Sequence, residues 1–296
     1  MLRLLDSVMR QEPRPRQVVI VDASPDDDTE RAVAEFDPGA RLHCLLYLRV
    51  DDSLRGLTRQ RNLALSRVRT DLVAFLDDDV VLLEGCLRAM EAVHRQRSDV
   101  VGVGALIANG QHRPPLAWWL RRMLLLVPSL QPGRYFASGV STPWWSSRLA
   151  NQVTEGDWLP GGATMWRTEA ARHTGFVEEF AGYGSGEDLE FSLRVSTRGR
   201  LVMAGAARVE HLHEPSGRPD AGDLAYAIVR NHHLIHRTHW SGRRWGAGAW
   251  FVYASAAEAI LQSIQLLHPH RTRETWRYLR GLVRYGREWV TGRPIG

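Results

Sequence analysis

The chain has 296 residues, of which 44% are apolar and 24% charged. That suits a soluble globular protein of one large domain or two modest ones and excludes a low-complexity chain. The net charge of +5 comes with no lysine at all, since all 38 cations are arginine. No aromatic-interleaved basic stripe accompanies them, so nucleic-acid binding is not expected, whereas bidentate recognition of a phosphate is.

Residues 1–11 have helical spacing, with Leu2, Leu5, Val8 and Met9 on one face, and Asp6 interrupts the run, which argues against a signal peptide. "QVVIVDAS" is a continuous apolar run ending in Asp22 and predicts a buried strand. "DTERAVAEF" predicts a helix and "LHCLLYLRV" a second strand. "GLTRQRNLALSRV" predicts a helix with Leu57, Leu63 and Leu65 set against Arg59, Arg61 and Arg67. "DLVAFLDDD" reads as a third strand, followed by a helix through "LEGCLRAMEAVHRQ" and then by "DVVGVGALI". This alternation predicts a layered α/β domain with a mixed, mostly parallel sheet flanked by helices. Cys44 and Cys86 lie in apolar surroundings and read as reduced core residues of a cytosolic protein.

Residues 110–157 are rich in Pro, Trp and Arg and read as an insertion, or a lid over one face of the sheet, with one short helix. "WLPGGATMWRTEAARHTGF" resumes regular structure, "GEDLEFSLRVSTRG" predicts a helix and "RLVMAGAARVEHLHE" a strand. From about residue 222 the pattern is helical. No stretch approaches the roughly 18–20 apolar residues of a membrane span.

Both Asp22 and the triplet Asp77, Asp78 and Asp79 follow apolar strands, at the edge where ligands of open α/β sheets bind. Hard oxygen ligands there suit Mg²⁺ or Mn²⁺ holding a diphosphate, although a solvated acidic turn has the same sequence. In "GSGEDLEFSLR", Ser185 and Asp188 have capping-box spacing. The same helix start allows Glu187 and Asp188 to offer a carboxylate to a substrate hydroxyl. Gly161 and Gly162 permit either a tight turn or close approach of a ligand. His211 and His213 alternate along a strand, so only one of them faces the crevice, where it could complete a cation's coordination. His232 and His236 are one helical turn apart but lack the HExxH pattern, and they read as a polar face near Arg230 and Arg237.

In this order and spacing, "VVIVDASPDDDT", "RGLTRQRNLAL", "VAFLDDDVVL", "LPGGATMWR", "GFVEEFAGYGSGEDLEFSLR", "VEHLHE" and "YAIVRNHH" resemble a family 2 glycosyltransferase of the GT-A fold over roughly residues 1–240. Residues 241–296 would then form a C-terminal amphipathic helical region. The resemblance implies inverting transfer of a sugar from a nucleotide donor to a glycan or lipid-linked acceptor. Asp22 would bond the nucleoside, with Arg61 and Asn62 near the nucleotide. Asp77 and Asp79 would bracket a D-x-D motif, with Asp79 the metal ligand and Asp78 near the ribose or sugar. Gly161 and Gly162 would shape the sugar pocket, Asp188, or in second place Glu187, would be the base, and His211 or His213 would approach the metal. Two departures stand out: the family's first strand with its "PTYNR"-like loop is missing, and Ala23 replaces a commoner acid. The missing strand keeps open an inactive sugar-nucleotide-binding relic, and the aspartates alone would also serve a metal-dependent phosphate hydrolase.

"LAWWLRRMLLLV" and the stretch from "WSGRRWGAGAWFVYASAAEAILQSIQLL" onward mix Trp, Arg and apolar residues. They resemble helices that lie on anionic membranes, or else they pack as ordinary core helices. The first of these readings sets the protein in the cytoplasm, with peripheral contact at the inner face of the cell membrane.

Overall fold

A computed structural model describes residues 1–37, 44–146, 149, 151–180, 185–212, 221–240, 242, 245–264 and 272–291. In chain order the first elements are α1 (Leu2–Met9), β1 (Val18–Asp22), α2 (Asp28–Phe36), β2 (Leu45–Arg49), α3 (Leu57–Arg67), β3 (Leu72–Leu76) and β4 (Val80–Leu82). Then come α4 (Cys86–Gln96), β5 (Val100–Ile107), α5 (Leu116–Met123), β6 (Val153–Gly156), β7 (Ala163–Arg167), α6 (Thr168–Thr174), α7 (Glu187–Val195) and β8 (Arg200–His211). Three helices follow: α8 (Ala221–Trp240), α9 (Ala247–Ile264) and α10 (Thr272–Thr291). The predicted elements are present, and the short strands β4 and β6 are additions. The chain divides into two compact units, Met1–Arg113 with Trp144–Glu214, and Pro114–Pro143 with Pro215–Gly296. The boundary read from sequence at 240/241 lies at the end of α8, inside the second unit, and most of the segment read as an insertion belongs to that unit too.

The first unit is an α/β layer structure. Its main sheet runs β3-β7-β5-β8-β4 with β6 also on β8, and β1 and β2 form a separate parallel pair. The sheet is mixed, as expected. Besides β1–β2 only β5–β8 is parallel, while β3–β7, β5–β7, β4–β8 and β6–β8 are antiparallel. Strand alternation splits its side chains between two cores. Val103, Met165 and Val202 go to one with Leu4, Val8, Met90 and Val93 of α1 and α4. Val101, Trp166, Leu201 and Met203 go to the other with Leu65 and Phe191 of α3 and α7. On α1 the buried face is Leu4, Leu5 and Val8, whereas Leu2 is exposed. Both cysteines are free, and burial pushes the Cys86 thiol up to about 12.

Among the described residues, β1 has no strand partner but β2, and β3 none but β7, so each leaves one edge open. Glutamine side chains bind backbone at this place. Gln17 donates to Arg67 O (2.8 Å) and accepts from Arg69 N (3.0 Å), and Gln60 of α3 donates to Val21 O (2.9 Å).

The second unit is helical. His236 is buried, stacked on Phe251 and bonded to Ala137 O at 2.9 Å, and Asn231 and Ile235 are buried beside it on the same helix. This corrects the reading of the α8 histidines as a polar face: His236 faces inward, and burial lowers the pKa of His232, His233 and His236 alike.

Gly205 lies where the β5–β8 register shifts, and its N–H donates to Gln152 O at 2.8 Å. A Cβ there would fall 1.5 Å from Leu149 O. Because the obstacle is backbone, Gly205→Ala is expected to destabilise the chain by roughly 3 kcal/mol or more, read from the midpoint of urea unfolding.

Candidate active site

The aspartate triplet is the turn between β3 and β4, and the two strands pair with different partners. Leu76 at the end of β3 faces Ala163 of β7, and Asp77 N donates to Gly162 O at 2.9 Å. Val80 at the start of β4 faces His211 of β8, and Leu212 N donates to Asp79 O at 2.8 Å. The chain therefore sets Asp77 beside the glycine pair and Asp79 beside His211, while Asp78 is exposed. His211 Nε2 lies 3.1 Å from Asp79 Oδ1. Asn109 clamps the His211 backbone from both sides, accepting from its N–H (3.0 Å) and donating to its carbonyl (2.8 Å).

Ligand atoms of Asp77, Asp79 and His211 all lie within 4.8 Å of one another. Two carboxylates and an imidazole, half-buried at a strand edge, fit a divalent cation whose remaining positions are left for phosphate oxygens and water. His213 lies outside the described residues.

Arg61 is the least expected feature. The sequence pattern set it on the polar face of α3, yet its side chain is only 9% exposed. Its Nη2 donates to Asp77 Oδ1 (2.9 Å) and Gly161 O (3.3 Å), and its Nη1 donates to Glu187 Oε1 (2.9 Å). The guanidinium also stands over the rings of Phe176 and Phe75, at 5.4 and 5.9 Å from their centres.

Helix α7 begins after Gly186, which has φ +87°, so this glycine and not Ser185 is the N-cap, and no side chain completes the predicted capping box. That leaves Asp188 for other partners. It accepts from Gly161 N (3.1 Å) and from Leu189 N (2.8 Å). Burial, with the Asp188 charge next in weight, pushes the Glu187 carboxyl up to about 8 despite Arg61. Burial also raises the Asp188 pKa, against the pull of its two backbone donors. The glycine pair is tightly surrounded by side chains of the site. A Cβ on Gly161 would lie 3.2 Å from Arg61, Asp188 and Glu187 atoms, and one on Gly162 would lie 3.0 Å from Asp77 Oδ2.

Arg61, Asp77, Asp79, Gly161, Gly162, Glu187, Asp188 and His211 thus form one connected group. Asp22 and Asn62 are bonded elsewhere. Asp22 ends β1 and accepts from Ser24 N (2.8 Å), Ser24 Oγ (2.5 Å) and Tyr47 OH (2.6 Å). Burial opposes its charge, but these donors together hold its pKa below the ordinary carboxylate value. Asn62 accepts from Phe176 N (2.8 Å) and donates to Phe176 O (2.9 Å), fastening the loop before α7 to α3.

The family model described as glycosyl transferase family 2 matches residues 1–148. The chain belongs to this family. Two solved structures resemble it in fold. GalNAc-T7 with UDP, GalNAc and Mn²⁺ has a TM-score of 0.61 at 13% identity, over 98% of this chain and 54% of its own. The mannosyltransferase PcManGT from Pyrobaculum calidifontis, with GDP-Man and Mn²⁺, has a TM-score of 0.54 at 15% identity, over 95% and 81%. The chain spans about half the length of the first of these. No curated protein matches in sequence. The fold class is accordingly that of GT-A glycosyltransferases. Gly161, Gly162, Glu187, Asp188 and His211 lie beyond the span of the family match.

Asn109 and the backbone of Gly161 were not singled out from sequence. A lone asparagine after a strand carries no pattern, and a backbone carbonyl has no letter of its own. Arg61→Met would leave Asp77 and Glu187 without their shared cation, which should cost about 3 kcal/mol. Adding Glu187→Gln should restore part of that loss, and a double-mutant cycle by urea unfolding measures it.

Proposed function

We propose that this family member transfers a sugar, with inversion, from a nucleotide-diphosphate donor to a hydroxyl of a glycan or lipid-linked acceptor. Asp188 acts as the base. The observation that carries this reading is the chain of contacts joining a cation-binding triad to a buried carboxylate pair through Arg61. A hydrolase needs the triad alone. A pair of acids with raised pKa at a helix start, beside a glycine turn, is what a transferase adds in order to take a proton from an acceptor. The solved complexes of similar fold, with UDP and GalNAc or with GDP-Man, support a nucleotide-sugar donor.

Asp77, Asp79 and His211 would hold Mg²⁺ or Mn²⁺, which when bound neutralises diphosphate charge and stabilises the leaving group. The chain's own residues do the rest. Arg61 holds Asp77 by one oxygen and fixes Glu187, while Asp188 is held by backbone N–H groups. The Gly161 N–H orients Asp188. The acceptor hydroxyl gives its proton to Asp188 as its oxygen bonds to the sugar's anomeric carbon. The bond from that carbon to the diphosphate oxygen breaks, and the nucleoside diphosphate leaves. Gly161 and Gly162 let the sugar approach the backbone, Asp78, which is exposed, would meet the ribose or sugar, and Asp22 and Asn62 would serve the nucleoside end. The acceptor is met in peripheral contact with the inner face of a cell membrane, with α5 and the C-terminal helices as the contact region and residues 1–240 as the transferase domain.

Thermal-shift titration with UDP, dTDP and GDP, each with and without Mn²⁺, tests donor binding. A shift for one nucleotide that needs the metal is expected. Release of sugar without an acceptor would instead favour the hydrolase, a shift with no transfer to any acceptor would favour the relic, and no shift at all would mean that the chain lacks a working donor site.

Asp188→Asn should lower the turnover rate by about 10²–10⁴ while keeping the nucleotide shift. Because both acids are raised, the rate should climb with pH toward about 8 as the pair loses its remaining proton. Glu187→Gln removes one titrating carboxyl of the pair and its negative charge beside Asp188, so this limb should move to lower pH, measured as a pH–rate profile.

A further inference from the structure

Helix α5 shows apolar side chains to solvent. Leu116, Trp119, Leu120 and Met123 recur at i, i+3, i+4 and i+7, and all are exposed, Leu116 by 84% and Met123 by 81%; Leu125 follows, at 68%. Helix α9, in the same compact unit, carries a second such stripe in Val252, Tyr253, Ala256 and Ile260. The two are tied together. Trp250 Nε1 donates to Leu125 O and Tyr253 OH to Leu124 O, both at 2.8 Å. Glu258 is the single charged residue of α9, and Arg121 of α5 binds it through two bonds of 2.6 and 2.8 Å. The pair removes the one acid that would oppose an anionic partner.

Segment Pro114–Pro143 has three arginines and no acid, and Arg122 lies over the Trp119 ring at 5.9 Å from its centre. Apolar surface of this extent marks an interaction site, and a Trp–Arg border with no acids marks the partner as anionic and apolar together. A second copy fits poorly. A symmetric pair would bring this arginine-bearing face against itself, with its one carboxylate, Glu258, already held by Arg121. Among the described residues no helix is long and apolar enough to cross a membrane.

We infer that the joined α5–α9 face is an interfacial docking surface for anionic phospholipid. This rests on the proposed membrane contact and narrows it to one face and one lipid class, with Trp119, Met123 and Ile260 entering the apolar boundary and Arg122 meeting headgroups.

The test is flotation of the full chain with vesicles of phosphatidylcholine alone or with added phosphatidylglycerol, at low and high salt. Met123→Asp and Ile260→Asp, singly and together, are compared with the unchanged chain. Circular dichroism and the nucleotide shift serve as controls of folding and of the donor site. Binding at least tenfold stronger to the anionic vesicles, reduced by salt and cut at least tenfold in the double variant with the nucleotide shift retained, is the expected result. Equal binding to neutral vesicles would overturn the lipid class. Vesicle binding that survives both substitutions would overturn the face while sparing membrane contact. No vesicle binding with a normal nucleotide shift would overturn docking but not sugar transfer. A dimer in light scattering that dissociates in the double variant would assign the face to a second copy.

Discussion

The Arg61 guanidinium has a carboxylate on either side, a backbone carbonyl at its edge and aromatic rings against its plane, and the rest of the site is arranged around it. Burying an arginine costs several kcal/mol, offset here by two short ion pairs and two ring faces. The charge count is what matters. Arg61 is one cation among Asp77, Asp79, Glu187 and Asp188, so the cluster carries an excess of negative charge that something must relieve. Protons relieve it at the Glu187–Asp188 end, where both pKa values are raised. A divalent cation suits the other end, where Asp79 and His211 join Asp77. Arg61 thus stands between a pair of acids with raised pKa and a triad that could hold a cation.

Helix α3 carries this arrangement. Its Gln60 holds the backbone beside Asp22, its Arg61 holds the acids, and its Asn62 fastens the loop before α7. Three consecutive side chains point three ways because successive helical residues are about 100° apart. The same helix links the β1–β2 pair to the main sheet, and among the described residues no strand of one sheet pairs with a strand of the other. The position of Asp22 relative to the triad therefore depends on glutamine side chains and helix packing, a softer connection than a β-ladder.

Much of this was legible in the sequence. Strands ending in acids, the glycine pair and the Glu187–Asp188 helix start each carry a local pattern, and their order gave the family. The turn that sends Asp77 and Asp79 to different partners was not legible, because β4 is only Val80–Leu82 and too short for a period of its own. Hydrophobic spacing places Arg61 on the outer face of α3, whereas its burial is decided by acids 16 and 126 residues away. Ser185 was misread as a cap because Gly186, in its left-handed conformation, starts the helix without a side chain. In each case the deciding contact is long-range or made by backbone, and neither leaves a mark in a window of neighbouring residues.

The two compact units use the same ion pair to opposite ends. In the first, one arginine faces an excess of carboxylates, and the uncompensated charge makes a place for cations and protons. In the second, Arg121 meets one carboxylate, Glu258, through both its oxygens, so the pair is neutral and its hydrogen-bonding capacity toward other ligands is largely used. Around a neutral pair the free energy of the surface is set by the apolar side chains beside it, each worth roughly 1.5–3 kcal/mol when fully buried against a partner. Compensation, more than composition, separates a pocket that binds ions from a face that seeks an apolar interface. For that reason the unusual arginine content of the chain is better read contact by contact than as a net charge.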